Sequence, residues 1–143
     1  ADRVINFMVG AGRYGQKTKA GFFDYPDGGG QRLWPDLMTH FPPAKAQPSL
    51  AAVQQRLLHI QAIETLRCLE EGIVTRPQDA DVGSILGWGF CPFYGGVASY
   101  IDHVGAKKLA ADCDSLADRY GERFRPPALL RKLAAQGETL YPA

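Results

Sequence analysis

With 143 residues, 45% hydrophobic and 22% charged, the chain has the composition of an ordinary globular domain, which excludes disordered and fibrous classes. A net charge of +1 argues against a dedicated nucleic-acid binder, and no run of eighteen apolar residues exists to form a transmembrane helix. Three cysteines (Cys68, Cys91 and Cys113) at wide spacing, with no apolar leader at the N-terminus, fit a reducing cytoplasm better than a disulfide framework, so a cytoplasmic location is expected.

The chain begins on Ala1 inside an apolar pattern, as a piece of something longer would. Val4, Ile5, Met8 and Val9 recur at helical spacing and predict the last turns of a helix or a short strand. Residues 10–30 hold seven of the sixteen glycines. Gly10-Ala11-Gly12-Arg13-Tyr14-Gly15 matches the G-x-G-x-x-G pattern of a dinucleotide-binding turn, which needs a helix to begin inside the motif. Residues 16–30 have no helical stripe, and Gly21, Pro26 and Gly28–Gly30 stop any helix early. The expectation is an irregular loop pinned to the core by Phe22, Phe23 and Tyr25. Pro35, Pro42, Pro43 and Pro48 then mark a connecting arm, with Leu33, Trp34, Leu37 and Met38 in one short turn.

The longest regular stretch runs from Leu50 to Glu71. Leu50, Val53, Leu57, Ile60, Ile63 or Leu66, and Leu69 line one face at spacings of three and four, widened by Leu58 and Ala62. Ser49 is the expected N-cap and Gly72 the stop. At about 1.5 Å per residue the helix is roughly 33 Å long, so it is taken as the central rod of a helical domain. Thr75-Arg76-Pro77-Gln78 has the form of a capping box, with Asp79 and Asp81 in the first turn of a helix that ends at Gly87. From Gly87 to Gly96, four glycines and a proline bracket four aromatics. This stretch predicts neither helix nor strand but rings packed against backbone or a subunit, with an aromatic ligand platform as the alternative. Three further helices are expected: Val97–Val104, Ala106–Tyr120, and one opened by Pro126-Pro127 and closed by Gly137. The final TLYPA is expected to be loose or lightly docked. At least half the chain is predicted helical, with no strand.

Chemistry is hard to find in these residues. His40, His59 and His103 lie in three separate segments, and nothing ties them to a nucleophile. There is no CxxC, HExxH or Asp-rich calcium loop, so no metal site is expected. Cys68 and Cys113 read as small core residues. Glu64 reads as a partly buried carboxylate held by Arg67 or a neighbouring N–H.

Three stretches together resemble the 3-hydroxyacyl-CoA dehydrogenase family. Gly12-Arg13-Tyr14-Gly15-Gln16-Lys17-Thr18 with Gly21–Tyr25 is similar to its GRxGxKxGxGFYxY segment. Arg67-Cys68-Leu69-Glu70-Glu71-Gly72-Ile73-Val74, then Ala80-Asp81, is similar to RCLEEGIV…AD. Gly87–Gly96 with Tyr100-Ile101-Asp102 is similar to GxGFPPFxGGxxxYID. The order and spacing match over nearly the whole chain, most of all with the C-terminal region of multifunctional fatty-acid oxidation proteins. Cys91, Ile63 and Thr65 depart from the usual Pro, Asn and Ala, and Lys19-Ala20 alter the glycine spacing.

The resemblance implies an all-α fold, like the C-terminal domain of 6-phosphogluconate dehydrogenase, with a long central helix surrounded by shorter ones and an irregular N-terminal arm. Residues 1–44 would be the end of a preceding helical repeat plus a linking arm, and residues 45–143 the helical C-terminal domain. It implies a parent that oxidises 3-hydroxyacyl-CoA with NAD and joins an enoyl-CoA hydratase. The family's catalytic pair and dinucleotide fingerprint lie upstream, so no catalytic, cofactor-binding or metal residue is assigned here. The implied partners are those upstream NAD-binding and hydratase domains, with a thiolase subunit or further copies as other candidates. The rival reading is a stand-alone helical interaction domain with no enzymatic parent.

Overall fold

The computed structural model describes residues 2–141 and divides the chain into two compact units, Ala1–Gln47 and Pro48–Ala143. The all-α expectation holds, with one small addition: a two-stranded antiparallel ribbon in the first unit.

In that unit, helix α1 (Asp2–Gly10) carries the Val4–Val9 pattern and buries Met8. The chain then turns back through Gly12, whose φ is +69°. The ribbon pairs β1 (Phe23–Asp24) with β2 (Arg32–Leu33), and a single-turn helix α2 (Leu37–His40) comes next. Phe22 and Phe23 do not pin the loop, because both are exposed. Arg13 does so instead. Its Nε donates to the Gly21 carbonyl at 2.8 Å, a terminal nitrogen pairs with Asp24 at 2.5 Å, and the guanidinium lies 4.1 Å from the centre of the Trp34 ring. Gly21 has no alternative there, since a Cβ would sit 2.7 Å from the Gly15 Cα.

The second unit is built on α3 (Leu50–Glu70), close to the predicted span. Ser49 caps it by accepting from the Ala52 N–H at 3.2 Å, and Gly72 lies just past its end with φ +70°. Then come α4 (Pro77–Trp88), α5 (Val97–Val104), α6 (Ala106–Tyr120) and α7 (Ala128–Gln136). Helices α5, α6 and α7 pack on α3, α4 packs on α5, and α6 on α7. The core gathers Ile63, Leu66, Ile101, Leu109, Cys113 and Leu130, all fully buried.

Four local expectations need correction. The predicted stripe of α3 mixes two faces. Leu50 and Leu57 are 73% and 58% exposed, whereas Ala62, Ile63, Thr65 and Leu66 are buried together with His59. At 3.6 residues per turn, Leu57 and Leu66 stand on opposite sides of the rod. Apolar residues occur all round it, so spacing alone does not choose the side. Glu64 lies on the exposed side and pairs with Arg67 in the open rather than partly buried. The capping box does not form: Arg76 occupies the N-cap position without a side-chain cap, and its guanidinium forks onto Asp79 at 2.8 and 2.6 Å. Finally, α4 runs one residue past Gly87 and stops at Gly89, with φ +72°, while Pro92–Tyr94 forms a 3-10 turn.

The segment at residues 139–141 is docked rather than loose. The Leu140 and Tyr141 N–H groups both donate to the Asp102 carboxylate, at 2.8 and 2.9 Å. Pro142 and Ala143 of the predicted tail lie outside the described residues.

Candidate functional site

Two buried polar centres tie the helices of the second unit together. The first lies where α4 meets the start of α5. Helix α5 begins after Gly96, at φ +121°, with no side-chain cap of its own. Asp81 reaches across from α4 and caps it. One carboxylate oxygen accepts from the Ala98 and Ser99 N–H groups at 2.6 and 3.1 Å, and the other from the Ser99 and Tyr141 hydroxyls at 2.6 and 2.7 Å. Ser84 Oγ accepts from the Val97 N–H at 3.2 Å and donates to the Asp81 carbonyl. The orphan donors of a helix start are thus satisfied by the neighbouring helix. Gly96 allows the approach, because a Cβ there would lie 2.5 Å from the Asp81 Cα.

The second centre joins α3, α5 and α6. The Tyr100 hydroxyl lies 2.9 Å from His59 Nδ1, and His59 Nε2 lies 3.3 Å from Asp112, which Lys108 holds in turn. These partners fit a neutral imidazole that accepts from Tyr100 and donates to Asp112. Burial pushes the His59 pKa down, against the pull of Asp112. Burial opposes ionisation of Asp112 too, yet Lys108 and His59 outweigh it and hold its carboxyl below the usual range. Burial also pushes Tyr100 up to about 12. A phenol so hard to ionise, bound to a histidine whose two nitrogens are both engaged, is suited to fastening helices rather than to proton transfer near neutrality.

Positions 59, 100 and 112 share no spacing that would reveal this centre in the sequence. His40 lies apart in the first unit, 4.4 Å from the Phe7 ring. His103 is exposed beside Tyr94. The buried Cys113 thiol is pushed by burial up to about 12, which makes it a poor nucleophile. No group of three or more metal-ligating side chains occurs among the described residues, and no described helix is long and apolar enough to cross a membrane.

The His59 shift has a measurable sign. Its folded pKa lies below 6.5, so the unfolded chain binds more protons as pH falls through that value. Stability should therefore drop between pH 7 and pH 5, and His59→Gln should flatten the drop. Urea midpoints measured across that range check this; equal slopes for the two proteins would refute it. Asp112 is shifted in the same direction, so its contribution is also lost on acidification, but only at lower pH, below 3.8.

The aromatic stretch divides. Phe90 is buried, and Tyr94 packs edge-on to Tyr100 at 5.0 Å, as a packing role requires. Trp88 and Phe93 remain 59% and 86% exposed. They line one wall of a groove of about 520 Å³ whose other wall is α3 at Leu57 and Gln61. The Trp88 indole N–H donates to Gln61 at 2.8 Å and holds that wall in place.

No family model matches the chain. Its sequence relatives are consistent in kind. It is 35% identical to the fatty acid oxidation complex subunit alpha of Shewanella loihica over 99% of its length, and 34% identical to that of Vibrio parahaemolyticus over 96%. Over 78 residues it is 49% identical to the same subunit of Shewanella amazonensis. The chain is a homologue of one segment of these alpha subunits. It spans about a fifth of the length of the curated relatives that it matches end to end. The alpha-subunit relationship runs through both units, including Gly10–Gly15. There the backbone lacks the arrangement of a dinucleotide turn: α1 enters the motif as a helix and ends at Gly10, and only a 3-10 turn, Gln16–Thr18, comes after it.

Proposed function

We propose that this chain is the C-terminal helical part of an NAD-dependent 3-hydroxyacyl-CoA dehydrogenase of fatty-acid β-oxidation, in a polypeptide that also carries enoyl-CoA hydratase. On this reading it is a structural and assembly module of the 6-phosphogluconate-dehydrogenase C-terminal kind. It buttresses catalytic domains elsewhere in a cytoplasmic enzyme and contributes no reacting residue. The observation that carries the reading is the use made of the buried polar groups. Asp81, Ser84, His59 and Tyr100 are all spent on fastening one helix to another. NAD is assigned to the parent and not to this chain, because Gly10–Gly15 lacks the helix N-terminus that would receive a pyrophosphate.

Titration of the chain with NADH, followed by nicotinamide fluorescence, tests the division of labour. No saturable enhancement is expected up to millimolar nucleotide. Saturable one-to-one binding would overturn it.

A further inference from the structure

The segment that follows α7 is held in the way a bound peptide is held. Gly137 ends the helix at φ +67°, and residues 138–141 are neither helix nor strand. The Leu140 and Tyr141 N–H groups go to a side chain rather than to backbone. They donate to different oxygens of the Asp102 carboxylate, at 2.8 and 2.9 Å. Asp102 has no other hydrogen-bond donor among the described residues, so this carboxylate of α5 serves the segment alone. The Tyr141 hydroxyl donates to the buried Asp81 of α4 at 2.7 Å. Leu140 and the Tyr141 ring lie half-buried against the core.

These contacts read a short sequence. A carboxylate that takes two successive N–H groups excludes proline at both positions. The first position packs an aliphatic side chain on the core. The second needs an O–H donor for Asp81, and a carboxylate there would be repelled. Burial, with Asp81 beside it, pushes the Tyr141 pKa up to about 12, so the phenol stays a donor near neutrality. The fastening is also separable from the fold. All three bonds come from α4 and α5, whereas α7, to which the segment is joined, packs on α3 and α6. No helix contact is broken when the segment leaves, and partly exposed bonds of this kind open well below the cost of global unfolding.

We propose that Asp102 and Asp81 form a recognition seat for an extended aliphatic–tyrosine segment of a protein partner. Leu140 and Tyr141 occupy that seat in cis and vacate it when the partner binds.

Fluorescence anisotropy with a labelled peptide of the Gly137–Ala143 sequence tests it on the full chain. Tyr141→Pro removes the second N–H and the phenol together and so frees the seat, with circular dichroism confirming helix content. The tethered segment of the unsubstituted chain competes at an effective concentration on the order of millimolar, so the variant should bind the peptide about tenfold more tightly, and saturably. Adding Asp102→Asn to the variant, or Leu140→Pro to the peptide, should weaken binding about tenfold, and Tyr141→Phe in the peptide about fivefold. Absence of saturable binding to Tyr141→Pro overturns the proposal, as does equal binding by the two chains or binding indifferent to Asp102→Asn. Should Tyr141→Pro unfold, hydrogen exchange of the unsubstituted chain decides. The Leu140 and Tyr141 amides are expected to exchange about a hundredfold faster than that of Cys113, because the segment leaves its seat while the core stays closed. Equal rates overturn the proposal.

Discussion

Asp81→Ala should destabilise the second unit by about 3–5 kcal/mol, one of the two largest losses expected for a single substitution. The side chain is buried and receives two backbone N–H groups and two hydroxyls. Hydrogen bonds to a charged group are worth about 1.5–3 kcal/mol each, and truncation leaves the buried donors without acceptors. Alanine also removes the negative charge that faces the N-terminus of α5. Asp81→Asn keeps the shape and one acceptor oxygen, so it should lose roughly half as much. Urea unfolding followed by circular dichroism, with the m-value unchanged, gives both numbers. A loss below about 1 kcal/mol for the alanine variant would mean that α5 is held by its apolar face and not by this carboxylate.

Leu66→Ala should cost about 2–5 kcal/mol, the range for a leucine truncated in a core that cannot collapse around it. Leu66 is fully buried between α3 and the helices packed on it. Leu57→Ala, nine residues earlier on the same helix, should cost under about 0.5 kcal/mol in the 143-residue chain, because its side chain already stands in water. The pair is a controlled comparison: same helix, same chemistry, opposite faces. Equal losses in the two variants would show that Leu57 is covered within this chain.

Most helices are legible in the sequence because local chemistry and tertiary packing agree in them. The Pro77 start of α4, the Gly105 and Gly121 boundaries of α6 and the Gly137 stop of α7 each demand a particular backbone at one residue, and the demand survives folding. The buried face of α3 is not legible, for the opposite reason. Leu57 and Leu66 are equally apolar, so periodicity marks both and ranks neither. The short ribbon escapes notice because two-residue strands carry no alternation to read. The polar centres are hidden by distance along the chain. Asp81 sits early in its own helix, where its charge would suit that helix, but it serves a helix that starts sixteen residues later. His59, Tyr100 and Asp112 come from three helices, and only the packing of those helices brings them within hydrogen-bond reach. The Gly10–Gly15 motif shows the converse. A six-residue pattern fits a nucleotide turn, while the residues after it are poor in helical spacing, and the backbone there is a helix end followed by a 3-10 turn.

A helix of eight residues that follows a glycine and borrows its cap is not expected to form on its own. Its first donors find acceptors only when Asp81 and Ser84 have been delivered by a formed α4. The two helices are therefore expected to open together, as one cooperative unit. The amides of Val97, Ala98 and Ser99 should report on that unit: hydrogen exchange is expected to show them exchanging when the α4–α5 pair parts rather than by fraying of α5 alone.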